Sequence, residues 1–209
     1  LKTLPAIVET EPDVLYIILG ATHPDVLRHD GEEYRFELQR IVEDLGLQNN
    51  VMFYNQFVSD ERLHNFLCAT DIYVTPYQNR EQLTSGTLAF AVGSGKAVVS
   101  TPYWAAEELL DEGRGRIVPF NDSKAMSDAI IGLLKNEAVF NECRRCAYDY
   151  GRTRTWPKIG RQYWDLFFQT RFPAKSLTKT FTHKKGSISL LEVPEPSLNH
   201  LRSITDDTG

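Results

Sequence analysis

The sequence predicts an α/β domain in which helices cover both faces of a parallel β-sheet. Short apolar runs rich in β-branched residues recur along the chain and indicate buried strands. These runs lie at residues 14–19, 51–53, 72–75, 97–100 and 116–118. Segments with helical periodicity separate them, and such alternation is typical of a parallel sheet with right-handed crossovers. The fold class is therefore a Rossmann-like, doubly wound α/β domain.

The individual elements follow in order. The apolar stretches at 14–19 and 71–75 are nearly continuous, as in strands buried on both faces. Helices are predicted at residues 33–45, 59–68, 86–93, 105–111 and 124–134. Ser59 and Asp122 predict N-caps, and Gly46 predicts a C-cap. An amphipathic helix over residues 1–9 has no strand before it, so we expect the first strand of the domain to precede Leu1.

The composition excludes several classes of protein. A net charge of −5 over 209 residues disfavours nucleic-acid binding, which needs a basic patch. No window approaches the roughly 18 apolar residues of a membrane span, and no secretory signal is visible at the N-terminus. Three cysteines cannot all pair, which fits a reducing compartment. We therefore expect a soluble cytoplasmic protein without a membrane span.

No metal site is expected. Cys143 and Cys146 form a C-x-x-C, but it lies in a charged helical stretch without a second Cys or His pair to complete a tetrahedral site.

The character of the chain changes near residue 171. We assign residues 1–171 to the α/β domain. Residues 172–193 are rich in Pro, Lys, Ser and Thr and are predicted to be an exposed linker. Residues 194–209 regain an apolar pattern but are too few to fold alone, so we expect an irregular tail that is the truncated start of a further domain.

The run Thr84, Ser85, Gly86 and Thr87 opens a predicted helix directly after a loop. The unpaired N–H groups and the positive dipole end of a helix N-terminus together favour a phosphate. Gly86 allows close approach to the backbone, and the three hydroxyls add donors without charge. The alternative is an ordinary Ser or Thr N-cap.

Two glycine motifs are decoys. Residues 93–96 read GSGK, but a phosphate-binding P-loop needs a Ser or Thr next, a strand before and a helix after. Residues 113–115 read GRG, without the third glycine or the following helix of a dinucleotide fingerprint. We expect Gly93 and Gly95 to end a helix instead.

The ordered set of these features resembles the C-terminal half of the group 1 retaining glycosyltransferases of the GT-B fold, over about residues 1–171. The matching pieces are YIILGATHP at 16–24, NQFVSDERLHNFLCATDIYVTPY at 55–77, GKAVVSTP at 95–102, AEELLDEGRGRIVPFND at 106–122 and a W-P…Y…F helix at 156–168. The tail resembles the entry to a helical domain that follows some such transferases.

The resemblance implies a Glu-x7-Glu pair, with one Glu at the transferred sugar and the other at the ribose. Counting back from Gly95, the two positions hold Gln82 and Phe90; counting forward from Glu81, the second holds Ala89. The second carboxylate is therefore missing. We predict that Gln82 contacts the donor sugar through its amide, with Glu81 as the alternative. Phe90 is expected to be a core aromatic.

Five further residues are candidates for donor binding. The resemblance implies Glu108 for the ribose, with a solvated helix-face carboxylate as the rival interpretation. Gly20 and His23 follow a strand at its carboxyl end, where ligands of doubly wound sheets bind, although His23 is equally suited to cap a helix. Phe57 and Val58 match the family's loop beside the nucleobase, and Phe57 fits core packing equally well.

The resemblance implies binding of a nucleotide diphosphate sugar, without metal or other cofactor, and hexose transfer to an acceptor hydroxyl with retention. The catalytic residues stay unknown, because the family's basic pair lies upstream of Leu1. The acceptor-binding N-terminal domain is expected in cis, so this fragment alone should not transfer sugar. The alternatives are a non-catalytic sugar-nucleotide-binding module and a sugar-nucleotide epimerase of the same fold.

Overall fold

The computed structural model describes residues 1–171. One compact unit spans Leu1–Asp165, and of the second unit, Leu166–Gly209, only the end of the last helix belongs to the described part. The predicted linker at 172–193 and the predicted tail at 194–209 lie outside the described residues.

Helices and strands alternate along the chain as the sequence predicts. The elements are α1 (Leu4–Thr10), β1 (Tyr16–Leu19), α2 (Pro24–Asp30), α3 (Glu33–Asp44), β2 (Val51–Tyr54), α4 (Asp60–Ala69), β3 (Ile72–Thr75), α5 (Gly86–Gly93), β4 (Ala97–Ser100), α6 (Trp104–Leu109), β5 (Arg116–Ile117), α7 (Ser123–Lys135), α8 (Glu137–Thr153) and α9 (Trp156–Arg171).

All strand pairs in the described part are parallel. β1 pairs with β2, with Tyr16 opposite Val51, and β3, β4 and β5 form a second ladder, with Ile72 opposite Ala97. The α/β fold class with parallel strands is therefore confirmed. The hydrogen-bonded strands within residues 1–171 form two ladders, where the sequence predicted one sheet.

Apolar clusters lie on both faces of the strands, because successive side chains of a strand point to opposite faces. On one face, Ala97 and Val99 pack with α1, α3 and α7, and residues of β1 and β2 join the same cluster. On the other face, Val98 packs with α4, α5 and α6. Helices therefore cover both faces, as in a doubly wound domain, and the two ladders share one core.

Local capping confirms several predicted boundaries. The Ser59 Oγ accepts a hydrogen bond from the Arg62 N–H at 3.3 Å, and Asp122 Oδ1 accepts one from the Ala125 N–H at 2.8 Å. Gly46 follows α3 with φ of 68°, a left-handed conformation that favours glycine. Gly93 ends α5, as predicted.

The packing of α5 against α8 depends on glycine at position 151. A Cβ on Gly151 would lie 2.7 Å from the Cα of Gly93 and 3.3 Å from the Val92 carbonyl oxygen, and backbone atoms cannot rotate away. We expect Gly151→Ala to lower the free energy of unfolding by about 1–3 kcal/mol, measured by urea denaturation. Gly132→Ala in α7 is the control, since its Cβ meets nothing within 4 Å. It should stabilise the chain by about 0.5–1 kcal/mol. An equal effect of both variants would contradict the packing argument.

No helix within residues 1–171 is long and apolar enough to cross a membrane. The same part of the chain contains no cluster of three His, Cys, Asp or Glu side chains arranged to hold a metal ion.

Candidate functional site

Helix α5 follows the carboxyl end of β3 after the loop formed by residues 76–85. Ser85 is its N-cap, since the Ser85 Oγ accepts a hydrogen bond from the Leu88 N–H at 3.4 Å and the Ser85 carbonyl accepts one from the Ala89 N–H at 3.0 Å. Within the described residues the backbone N–H groups of Gly86 and Thr87 have no hydrogen-bond partner. Ser85 is therefore an ordinary N-cap, and two donors next to it stay open.

Gly86, the first residue of α5, is open to solvent. Gly86 is exposed, and a Cβ placed on it would meet no atom within 4 Å. No part of the described chain therefore covers the backbone at Gly86, and the binding of an anion there stays a prediction.

The N-terminus of α6, which also follows a strand, is blocked instead. The Trp104 N–H donates to the Arg80 carbonyl at 3.0 Å, and the Ala105 N–H donates to the Gln82 carbonyl at 3.1 Å. Residues 76–85, the loop between β3 and α5, thus supply the partners of the first α6 donors. Of these two neighbouring helix ends, only that of α5 is open.

Gln82 lies on this loop and is half-buried. Its Nε2 donates to the Thr84 carbonyl at 3.1 Å, which fixes the amide and leaves its Oε1 as the acceptor for a ligand hydroxyl. Glu81 is exposed, and its N–H donates to Asn79 Oδ1 at 3.1 Å in an Asx-type turn. The structure therefore brings Gln82, Thr84 and the α5 N-terminus onto one short segment.

A buried hydrogen-bond network holds the base of this loop. The Thr75 hydroxyl donates to Ser100 Oγ at 2.8 Å, and the Tyr103 phenol donates to Thr75 Oγ1 at 3.1 Å. The Thr101 hydroxyl donates to the Tyr77 carbonyl, and the Tyr103 and Tyr77 rings lie 5.3 Å apart. The start of the loop, at Tyr77, is thereby fixed to the carboxyl ends of β3 and β4.

Arg80 is a cation that the sequence analysis missed. Its guanidinium lies 3.7 Å from the Glu107 carboxylate, and both side chains are largely exposed. The clue available in the sequence was an arginine two residues before Gln82, in the loop after a strand. The family resemblance implies the basic pair upstream of Leu1 and therefore does not indicate Arg80.

Glu108 lies on the exposed face of α6, four residues after Trp104 and therefore on the same side of the helix. Its carbonyl accepts a hydrogen bond from the Arg114 guanidinium at 3.0 Å. The two backbone hydrogen bonds to the 76–85 loop place α6 beside Gln82. A role for the Glu108 carboxylate at a ribose stays a prediction.

The other predicted residues follow β1 and β2. Gly20 directly follows β1, and its N–H donates to the Tyr54 carbonyl at 3.0 Å. His23 is the N-cap of α2, where its Nδ1 accepts a hydrogen bond from the Asp25 N–H at 3.2 Å, so the capping interpretation is correct. Phe57 is 93% exposed, so its alternative as a core residue is wrong, and Val58 is half-buried.

The expected burial of Phe90 is also wrong, because the ring is 55% exposed. The buried side of α5 consists of Leu88, Ala91 and Val92, and Phe90 faces away from them. Together with Leu63 and His64 of α4 it lines a shallow groove. Phe90 is four residues after Gly86 and so lies on the same side of α5 as Gly86.

Tyr73 of β3 lies beneath the site. Burial raises the pKa of its phenol to about 12, neighbouring phenols including Tyr77 and Tyr103 act in the same direction, and the Thr87 hydroxyl opposes them. An unfolded tyrosine ionises near pH 10. The contribution of the neutral Tyr73 phenol to the free energy of unfolding is therefore fully present below pH 10 and is lost as the pH rises towards 12.

Tyr73→Phe should lose less stability over this pH range. We expect its unfolding free energy to fall by about 1–2 kcal/mol less than that of the wild type between pH 10 and 12, measured by urea denaturation. An equally steep loss in both proteins would assign the pH dependence to other groups.

Residues 1–153 match the family profile of the glycosyl transferases group 1. A phosphatidyl-myo-inositol mannosyltransferase of Mycolicibacterium smegmatis is 29% identical over 140 residues, which is 66% of this chain and 32% of the relative. The protein of the same name from Mycobacterium leprae is 27% identical over 163 residues, 78% of this chain and 40% of the relative. The chain thus spans well under half the length of these relatives.

Two solved structures share the fold. The chain superposes on Anabaena HepE in complex with UDP with a TM-score of 0.68, at 19% identity, covering 80% of this chain and 44% of HepE. It superposes on the C-terminal domain of LpcC, a glycosyl transferase group 1 family protein from Francisella tularensis, with a TM-score of 0.63, at 19% identity, covering 73% of this chain and 75% of that domain.

Proposed function

This chain belongs to the group 1 glycosyl transferases, and from that premise we propose that it is the donor-binding part of an enzyme that transfers a hexose from a nucleotide diphosphate sugar to an acceptor hydroxyl with retention of configuration. The observation that carries the proposal is the open N-terminus of α5, with two unpaired N–H groups and no atom within 4 Å of a Cβ placed on Gly86.

In the proposed complex the diphosphate lies at this helix end. The N–H groups of Gly86 and Thr87 donate to phosphate oxygens, and the helix dipole adds positive potential. Arg80, on the same loop, supplies a formal positive charge that Glu107 only partly offsets across 3.7 Å. UDP and glucose are present together in a structure of Anabaena HepE, which shares the fold, and this supports a sugar nucleotide as the ligand class.

The sugar end of the donor is proposed to lie at Gln82. Its Oε1 accepts a hydrogen bond from a sugar hydroxyl, while its Nε2 is held by the Thr84 carbonyl. Glu81 is the alternative contact, and Glu108 is the proposed partner of the ribose. Gly20, His23, Phe57 and Val58 are proposed to contribute from the loops after β1 and β2.

The proposed chemistry is front-side attack through an oxocarbenium-like state, without metal or other cofactor. Charge develops on the leaving diphosphate as the glycosidic bond breaks, so fixed donors and cations aimed at its oxygens lower the barrier. The residues of this chain in that role are Gly86, Thr87 and Arg80. The acceptor and further basic residues are proposed to be held by an N-terminal domain in cis, so the chain alone should bind donor without transferring sugar.

A second candidate is a sugar-nucleotide-binding module without catalysis. The missing second carboxylate favours it, because Phe90 or Ala89, depending on the count, stands where the family resemblance implies a Glu, and the Phe90 ring is exposed. An epimerase would need acid–base groups at the sugar, and Glu81 is the one carboxylate on the 76–85 loop. Incubating the full-length protein with a panel of sugar nucleotides separates the three through transfer, an epimerised donor, or binding without turnover.

The donor-binding proposal itself is tested by calorimetry. The chain is titrated with UDP, GDP and ADP, each at several salt concentrations. Binding of at least one nucleoside diphosphate, weakened by added inorganic pyrophosphate, is the expected result. Absence of binding by all three would overturn the proposal.

A further inference from the structure

We infer that the turn between β4 and α6 positions the sugar-binding part of the donor site, so that Trp104 and Tyr103 act on the donor sugar through Gln82 without touching it. This inference deepens the proposed function and rests on it. The two residues are positioning residues, since neither is placed in contact with the ligand.

The position of Gln82 depends on hydrogen bonds from α6. Gln82 lies on an exposed loop that is not part of a strand or helix, so its position depends on what holds the loop. The N–H groups of Trp104 and Ala105 bind the carbonyls of Arg80 and Gln82 at 3.0 and 3.1 Å. These donors belong to the first turn of α6, where N–H groups have no partner inside the helix.

The position of α6 in turn depends on the buried Tyr103. The Tyr103 side chain is fully buried, its phenol donates to Thr75 Oγ1 at 3.1 Å, and its ring packs on that of Tyr77. Thr75 in turn donates to Ser100 at 2.8 Å. The first turn of α6 is thereby fixed to the carboxyl end of β3, the strand from which the loop departs.

Different helices hold the sugar end and the phosphate end of the proposed site. The N–H groups at the phosphate end belong to α5, whose own buried residues Leu88, Ala91 and Val92 hold that helix in the core. Loosening the α6 contact therefore moves Gln82 and the backbone of Arg80, and it leaves Gly86 and Thr87 in place. A loose contact should weaken the extra affinity that the sugar provides and largely spare the affinity for the nucleoside diphosphate, whose two backbone donors stay in place.

Trp104→Pro tests this with little change to the backbone. Proline at the first position of a helix is well tolerated, and Tyr103 before it is already extended, with φ of −81° and ψ of 153°. The variant removes the N–H that binds the Arg80 carbonyl. Trp104→Ala is the matched reference, because it also deletes the half-exposed indole but keeps the N–H.

The readout is the affinity of the 209-residue chain for UDP and UDP-glucose, and for GDP and GDP-mannose, measured by calorimetry alongside the melting temperature. The sugar-dependent gain is the ratio of affinities within each pair. Relative to Trp104→Ala, we expect Trp104→Pro to reduce this ratio about fivefold, as for one lost hydrogen bond. The affinity for the diphosphate alone should stay within about twofold, because the Gly86 and Thr87 N–H groups are intact and the largely exposed Arg80 guanidinium keeps its charge when its backbone loses a partner. Tyr103→Phe should show the same pattern.

Three results overturn the inference. Equal ratios in the two Trp104 variants would show that the contact does not position Gln82, and equal losses of both ligands of a pair would show a general structural effect. A wild-type chain that binds nucleoside diphosphates without any sugar-dependent gain would refute the inference and leave diphosphate binding standing. If the wild type binds none of the four ligands, the proposed function itself fails.

Discussion

Gly86→Val should lower the affinity of this chain for a nucleoside diphosphate by about 100-fold or more. A valine side chain would occupy the space in front of α5 and prevent a phosphate from reaching the N–H groups of Gly86 and Thr87. A hydrogen bond to a charged group contributes about 1.5–3 kcal/mol, so loss of two corresponds to at least about 100-fold. Calorimetry with the nucleotide that the wild type binds most tightly measures the effect.

The fold should tolerate this substitution, which makes the result interpretable. The new Cβ meets no protein atom within 4 Å, and Gly86 has no left-handed backbone conformation. Gly93→Ala, at the other end of α5, is the matched control, because its Cβ also meets nothing within 4 Å. It should bind nucleotide like the wild type. Unchanged affinity in Gly86→Val, at an unchanged melting temperature, would place the phosphate site elsewhere.

Phe90→Glu should tighten the binding of a ribonucleoside diphosphate by about tenfold or more. Counted back from Gly95, the family resemblance implies a ribose-binding carboxylate at this position, with position 89 as the alternative when counted from Glu81. A carboxylate that accepts from the ribose hydroxyls contributes about 1.5–3 kcal/mol. Because the Phe90 ring is 55% exposed, its replacement removes little from the core. Calorimetry with UDP and 2′-deoxy-UDP measures the gain.

Discrimination between the two nucleotides is the decisive quantity. The deoxynucleotide lacks one of the hydroxyls that the carboxylate would accept, so Phe90→Glu should favour UDP over 2′-deoxy-UDP more strongly than the wild type does. Phe90→Ala removes the ring without adding a carboxylate and should not introduce this preference. Equal gains on both nucleotides would contradict a ribose contact at position 90.

Several parts of the site could be predicted because they depend on residues adjacent in the chain. Residues 84–87 predicted a helix N-terminus, and Ser85 caps α5 in the structure. The phosphate interpretation and the N-cap interpretation were alternatives in the sequence, and the structure makes them compatible, because Ser85 satisfies the Leu88 N–H and leaves two other N–H groups open. Whether a diphosphate binds there stays a prediction.

The errors concern burial. Phe90 and Phe57 are large apolar side chains, for which burial is the usual expectation. A helix as apolar as α5 shows no clear division into a buried and an exposed side, so its sequence does not indicate which side faces the core. The packing of Leu88, Ala91 and Val92 against β4 and α6 decides it and leaves Phe90 outside.

The sequence by itself determined the alternation of strands and helices, the parallel α/β class, the family and the helix N-terminus at Ser85, since each follows from local periodicity, capping residues or ordered motifs. Only the tertiary structure decided that loop carbonyls block the α6 N-terminus while the α5 N-terminus stays open, and that Arg80 lies beside Glu107. The physical reason is that these contacts join residues more than twenty positions apart, and their pairing is set by how the carboxyl ends of β3 and β4 meet in the folded domain.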